Sequence, residues 1–249
     1  MGDIIDIEGL DFFLMVLPVV AFLYASVGHG GASGYLALMS LWAFPVSMMK
    51  PTALILNLCV AALSFIAYAR KGYFNWKLFL AFASSSVPLA FLGGSIEVDP
   101  TLYKRILGVL LLFAIVRMMG WIGKEPKQIQ ALNVPLALLI GGAIGFFSGL
   151  IGIGGGIILT PVILLMGWGS MKEAAAISAA FIWVNSAAAL FGYFQTGIHV
   201  GESIYTLATL AFVGGLFGAY LGSTRFNGTV LKRILALVLL IASIKLMLT

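Results

Sequence analysis

The sequence predicts an all-α integral membrane protein made of two inverted-topology repeats. Each repeat has about five helical elements, with glycine-broken helices meeting at the membrane midplane. Three observations carry this prediction. The 249-residue chain is 61% hydrophobic and only 9% charged. Two charge-free stretches are each too long for a single crossing, and each is interrupted by a glycine cluster. Short motifs in the first half return in the same order in the second.

Composition excludes most alternatives. A soluble domain covers its surface with about 25% charged residues, so 14 Lys+Arg and 9 Asp+Glu cannot solubilise a chain of this size. With a mean hydropathy of +1.10, the surface must face lipid. A soluble enzyme, a nucleic-acid binder and a disordered chain are thereby excluded. The pI of about 9.4 does not point to nucleic acid, because the basic residues are scattered between apolar runs, as in membrane loops. The lone cysteine, Cys59, lies inside an apolar run, so neither a disulfide framework nor a metal cluster is expected. The start, MGDIIDIEGLD, is acidic, unlike the basic start of a signal peptide, and no cleavable segment is expected.

A helix needs about 20 apolar residues to cross the hydrocarbon. Single spans are expected near 51–70, 76–96, 105–122, 172–194, 203–223 and 232–248. Phe12 to Met49 and Gln128 to Met171 contain no Asp, Glu, Lys or Arg, and each reads as two elements joined at a break. The first break is Gly28-His29-Gly30-Gly31-Ala32-Ser33-Gly34 and the second is Gly152-Ile153-Gly154-Gly155-Gly156. Glycine destabilises a helix interior by about 1 kcal/mol per residue, so such clusters unwind it. Exposed backbone cannot face lipid and must be buried in protein or line a cavity. Whether 28–50 and 156–170 cross fully or re-enter is open at this level.

The breaks overlay, Gly28-His29-Gly30-Gly31 on Gly152-Ile153-Gly154-Gly155. Met49-Lys50 matches Met171-Lys172, each opening the next span, and Leu92-Gly93 matches Leu221-Gly222. Lys104-Arg105-Ile106-Leu107 matches Lys232-Arg233-Ile234-Leu235, with Arg117 falling on Lys245. The expected division is a first repeat at 1–123, a cytoplasmic linker at 124–131 and a second repeat at 132–249. Arg70, Lys71 and Lys77 place one loop in the cytoplasm, whereas its counterpart, Gln195 to Gly201, has no Lys or Arg and belongs outside. Equivalent loops on opposite sides require an odd number of crossings per half. With the acidic N-terminus outside, Arg70, Lys71, Lys77, Arg117, Lys124, Lys127, Lys172, Arg225, Lys232 and Arg233 fall inside, and only Lys50, Lys104, Arg105 and Lys245 outside.

Inverted repeats with helices broken at corresponding positions are the architecture of many secondary transporters, because two pseudo-symmetric halves can exchange conformations around one site. Helix N-termini at the breaks present unpaired N–H groups and a positive dipole end, suited to an anion.

Gly149-Leu150-Ile151-Gly152-Ile153-Gly154-Gly155-Gly156, followed by Thr160-Pro161, resembles the glycine-rich motif of the sulfite exporter TauE/SafE family of membrane transporters. The first-half counterpart departs from it by carrying His29 and Ala32 and by lacking the proline. The resemblance covers nearly the whole chain, including the duplication. It implies export or uptake of a small sulfur-containing anion (sulfite, thiosulfate, sulfoacetate or a related organosulfonate) through the cytoplasmic membrane, without selecting among them.

The anion is expected to meet backbone N–H groups around Gly30, Gly31, Gly154, Gly155 and Gly156. The competing reading is that these glycines only permit close helix packing. No Arg or Lys lies mid-span, so neutral donors must serve. Ser33, Asn57, Trp183 and Asn185 head that set, with Ser148, Thr160 and Ser186 beside them; against this stands helix-to-helix glue. His29, the only ionisable group inside a break, can donate to an oxyanion or carry a coupling proton, or it can simply bond a freed carbonyl as a neutral ring. Glu97, Asp99, Glu173 and Glu202 read as interfacial, as do Tyr73, Trp76 and Trp121. No cofactor, metal or catalytic residue is expected. Expected partners are the anion, membrane lipid and protons, not nucleic acid, and homo-oligomerisation is left open. Gly31-Ala32-Ser33-Gly34 also matches the GxSG string around the nucleophile of rhomboid intramembrane proteases. His199 sits in a loop, however, and the second break has no serine, so no enzyme is expected. A passive anion channel is the stronger rival, since the same neutral site could conduct.

Overall fold

The computed structural model describes residues 10–26, 28–119, 128–195, 204–224, 240, 243 and 244. These residues form α-helices and no strand: α1 (Leu10–Ser26), α2 (Ala32–Leu41), α3 (Val46–Ala69), α4 (Trp76–Ser95), α5 (Pro100–Met118), α6 (Val134–Ile151), α7 (Gly156–Leu165), α8 (Met171–Phe194) and α9 (Ile204–Thr224). Five of them, α3, α4, α6, α8 and α9, are long and apolar enough to cross a membrane. Most of the last expected span, 232–248, lies outside the described residues, as do His199, Glu202 and Trp121. Ser243 is buried and donates to the Gly108 carbonyl of α5 at 3.0 Å.

Local sequence explains where the helices start. Asn75 and Asn133 accept from the N–H groups of Leu78 and Leu136, and Ser170 with Glu173 forms a capping box on α8. Asp99 accepts from Thr101 and Leu102, which starts α5 at Pro100 rather than near 105. Another expected boundary is corrected at α3, which starts at Val46 rather than near 51 and takes Pro51 inside. Proline leaves the carbonyl four residues earlier without its donor. That carbonyl, Ser47 O, accepts from the Tyr193 hydroxyl at 2.9 Å, so α8 repairs the ladder of α3.

Each broken stretch is a hairpin that runs the length of the bundle and returns. α2 turns back along α1: Gly34 packs on Tyr24 and Trp42 lies against Phe12 and Phe13 at the start of α1. The first break begins at the far end, where Gly28 meets Tyr68 and Ala175. α7 likewise returns toward the start of α6, where Gln130 N–H donates to Gly167 O at 2.7 Å. α2 and α7 have 10 residues each, about 15 Å of helix, so each return is part non-helical break and part helix.

The hairpins dock crosswise. α1 packs on α9 and α6 packs on α4. Both contacts are backbone-close through glycine: Gly214 and Gly218 meet Pro18 and Phe22, and Gly141, Gly145 and Gly149 meet Phe82, Ser86 and Ala90. Glycines four residues apart let helix backbones approach, which is the main packing device where lipid removes the hydrophobic drive. The residue order makes both pairs parallel. α3 and α8 run antiparallel through the middle, with Ser47 beside Tyr193 at one end and Tyr73 bonded to Lys172 at 3.0 Å at the other. Large apolar side chains such as Met15, Trp76, Leu139, Phe191 and Tyr220 are exposed on the outside, as a lipid-facing surface requires.

Candidate functional site

The two breaks converge on one side chain. Asn57, fully buried at the middle of α3, accepts from the Ala32 N–H through Oδ1 at 3.0 Å. Its Nδ2 donates to the Ile153 carbonyl at 3.3 Å and to Ser186 Oγ at 3.3 Å. One carboxamide therefore satisfies a first-turn donor of α2 and a freed carbonyl of the second break. Across from it, Ile182 of α8 closes on both breaks: methyl groups placed on Gly30 and Gly154 would each lie 2.8 Å from its Cγ2. The same added methyl would lie 2.5 Å from Asn57 Oδ1 at Gly30 and 2.7 Å from Asn57 Nδ2 at Gly154. Only glycine lets the two chains pass this layer.

The break conformation also needs glycine. Gly31 has φ 103° and caps α2, and Gly155 has φ 78° and caps α7; L-residues pay about 1–2 kcal/mol in this left-handed region. Both short helices therefore begin beside the Asn57 layer and run toward opposite ends of the bundle. Their first N–H groups have no partner within the helix, and their positive dipole ends favour negative charge.

The polar side chains around the breaks form a buried net. His29 Nε2 lies 3.5 Å from Thr160 Oγ1, which also bonds Ser178 Oγ at 2.8 Å and donates to the Gly156 carbonyl at 3.2 Å. His29 of the first break thus touches α7, beyond the second. Ser33 shares a 2.7 Å hydrogen bond with the Tyr24 hydroxyl, and Tyr35 donates to the Gly30 carbonyl at 3.0 Å. Asn185 donates to the Phe181 carbonyl at 2.8 Å, while its Oδ1 and the Ser148 hydroxyl are buried without a hydrogen-bond partner. Gly155 connects this pair to the second break, because a methyl there would lie 3.3 Å from Ser148 Oγ and 2.9 Å from the Phe181 ring.

Of the residues expected at the site, His29, Gly30, Gly31, Ser33, Asn57, Gly154, Gly155 and Gly156 lie at the convergent breaks, and Asn185 one helical turn from Phe181. Trp183 does not join them. It is 43% exposed, because α8 turns Ile182 and Ser186 toward the breaks and places the residue after Ile182 about 100° away. A second correction concerns Lys50. The motif match makes it an opening residue like Lys172, but it is the fifth residue of α3 and only 6% exposed, whereas Lys172 is exposed. The available signal was a single lysine beside a proline at the edge of an apolar run. At the other end of the bundle, Lys172 lies 4.9 Å from the centre of the Tyr73 ring and holds the exposed Tyr73 phenol below its usual pKa by hydrogen bonding and by charge.

The sequence profile of the sulfite exporter TauE/SafE family matches residues 13–246. The chain is 35% identical over 233 residues to a probable membrane transporter protein of Sinorhizobium fredii, covering 92% of this chain and 94% of that one. It is 25% identical over 197 residues to a probable membrane transporter protein of Methanocaldococcus jannaschii, covering 73% of each. It is 27% identical over 241 residues to one of Xylella fastidiosa, covering 88% of each. No solved structure matches. With a profile match across almost its whole length and a relative above 30% identity, the chain belongs to the sulfite exporter TauE/SafE family of membrane transporters.

Proposed function

We propose that this protein is a secondary transporter that carries a small sulfur-containing oxyanion across the cytoplasmic membrane by alternating access. The substrate class is sulfite, thiosulfate or an organosulfonate such as sulfoacetate, bound between the two breaks, and His29 is the group that would carry a coupling proton. The observation that carries this reading is the convergence of both breaks on Asn57, with α2 and α7 starting there and diverging. Two helix N-termini supply a positive field without a fixed cation, which binds an anion yet lets it leave.

The packing supports an inverted repeat of 1–123 and 132–249. Exchanging the hairpins α1–α2 and α6–α7, together with α4 and α9, turns the parallel pair α1–α9 into the parallel pair α6–α4. The equivalent helices α3 and α8 are antiparallel, as inversion requires. Such a pair of halves can trade conformations and so open the central layer to either side.

Counterflow in proteoliposomes tests the proposal. Vesicles preloaded with unlabelled thiosulfate or sulfoacetate are expected to accumulate the labelled anion transiently above its equilibrium level. A channel would equilibrate the label without overshoot and carry current that follows the membrane potential. Absence of flux for every sulfur anion tried would overturn the substrate class.

A further inference from the structure

Beside the second break, Lys50 is the only Lys or Arg that is buried among the described residues. Its ammonium donates to the carbonyls of Gly94 at 2.8 Å, Gly93 at 3.3 Å and Ile96 at 3.3 Å, at the C-terminal end of α4. It also lies 5.6 Å from the centre of the Tyr193 ring. Two of the three bonds are long for an ammonium donor, which bonds best at about 2.7–2.9 Å, so two N–H groups are loosely held.

Lys50 forms part of the wall of a cavity of about 290 Å³, together with Ser47, Glu97, Tyr103, Leu150 and Tyr193. At roughly 30 Å³ per water in the liquid, this space takes a small oxyanion with part of its hydration shell. The cavity adjoins the second break. Gly152 packs against the backbone and stem of Lys50, and Tyr103 of the cavity wall donates to the Ile151 carbonyl at 2.9 Å. Glu97, exposed, is the opposing charge on the lining. The nearby Asp99 carboxylate is engaged at the start of α5, where Lys104 and Arg105 follow.

We propose that this cavity is a recruitment site for a small oxyanion with a sulfonate-like head, held by the Lys50 ammonium on the way to the second glycine break. The proposal rests on the anion-transport reading for its solute but not for its test. When an anion enters, Lys50 turns its two loosely held N–H groups from the Gly93 and Ile96 carbonyls onto the anion. The bond to Gly94 keeps the ammonium in place.

The test needs no transport. In the full chain carrying Cys59→Ala and Ser47→Cys, thiol modification is timed with two methanethiosulfonate reagents, one bearing an ethylsulfonate and the other an ethyltrimethylammonium group. Rates are normalised to a free thiol. The sulfonate reagent is expected to react about tenfold faster, since the Lys50 ammonium is buried in the cavity wall and attracts it, whereas the opposing Glu97 carboxylate is exposed to solvent. Lys50→Gln removes the preference, Lys50→Arg keeps it and Glu97→Gln enlarges it. Equal rates in the parent chain, or a preference that survives Lys50→Gln, would overturn the proposal. If Lys50→Gln fails to fold, the Glu97→Gln and Lys50→Arg arms still decide, because an unchanged preference in the first or a lost one in the second contradicts it. A sulfonate preference together with absent counterflow would sink the transport reading alone, and the reverse result would sink the recruitment site alone.

Discussion

The two glycine breaks share a backbone plan and differ in chemistry. In the second, Gly152, Gly154 and Gly155 all have positive φ, and the space beside them is filled by Lys50 at Gly152, by Asn57, Ile182 and Ser186 at Gly154, and by Ile144, Phe181 and Ser148 at Gly155. In the first, Gly28 and Gly31 have positive φ, and its own hairpin fills part of the space: Tyr35 covers Gly31 and Tyr24 covers Gly34, whereas α3 and α8 cover Gly28 and Gly30. Those tyrosines also bond Gly30 O and Ser33 Oγ, and the same break carries His29. In its own residues the second break is thus mostly bare backbone, whereas the first carries His29 and is flanked by the two tyrosines of its hairpin. Similar backbone breaks set two helix N-termini beside one asparagine, while side chains made one of them the polar side of the site.

The sharpest way to break this comparison is to load the bare break with a side chain. Gly154→Ala puts a methyl 2.7 Å from Asn57 Nδ2 and 2.8 Å from Ile182 on a backbone with φ 77°. Folded yield and flux are expected to fall below a tenth of the parent chain. Gly72→Ala is the control: it has the same φ of 77° but nothing within 4 Å, so only the left-handed penalty of about 1–2 kcal/mol applies. A thermal melt that ranks the two equally would show that strain, and not the crossing of the breaks, matters.

Asn57→Ala should come next. It orphans the buried Ala32 N–H and Ile153 carbonyl, at roughly 1–3 kcal/mol each, and uncouples the breaks. Asn185→Ala loses a single bond within its own helix and should melt closer to the parent. A smaller effect on stability is expected from His29→Gln, whose consequence lies in coupling. Flux driven by a pH gradient should vanish while counterflow persists, and gradient-driven flux that survives would remove His29 as the proton carrier. The smallest effect belongs to Tyr73→Phe, which deletes an exposed contact to Lys172 and should shift stability by less than about 0.5 kcal/mol.

Particular residues show how much was legible beforehand. The breaks were readable because dense glycine in an apolar run has no helical use; the second lies within a residue of its expected limits, whereas the first ends three residues early, with Ala32, Ser33 and Gly34 already in α2. Asn57 was readable as a polar group in a span, since an amide in hydrocarbon needs a partner. Its partners Ala32, Ile153 and Ser186, drawn from both halves, are separated from it by 25, 96 and 129 residues, and no local pattern encodes them. Trp183 misled because an indole donor inside a span suits an anion, whereas which side of α8 faces the breaks depends on packing. Lys50 misled in the opposite direction: a lysine at a span edge ordinarily reaches water, and only the end of α4 folding over it supplied three carbonyls.

The sequence by itself determined that this chain lives in a membrane, that it is helical, where its helices break and to which family it belongs. Those properties depend on composition, on local backbone preference and on motifs contiguous along the chain. Tertiary structure alone decided that the breaks meet at Asn57, that α2 and α7 diverge from that layer, and that Lys50 is buried beside a cavity. Each of these depends on the angle and depth at which helices dock, which glycines scattered over α4, α6 and α9 fix only when their partners arrive.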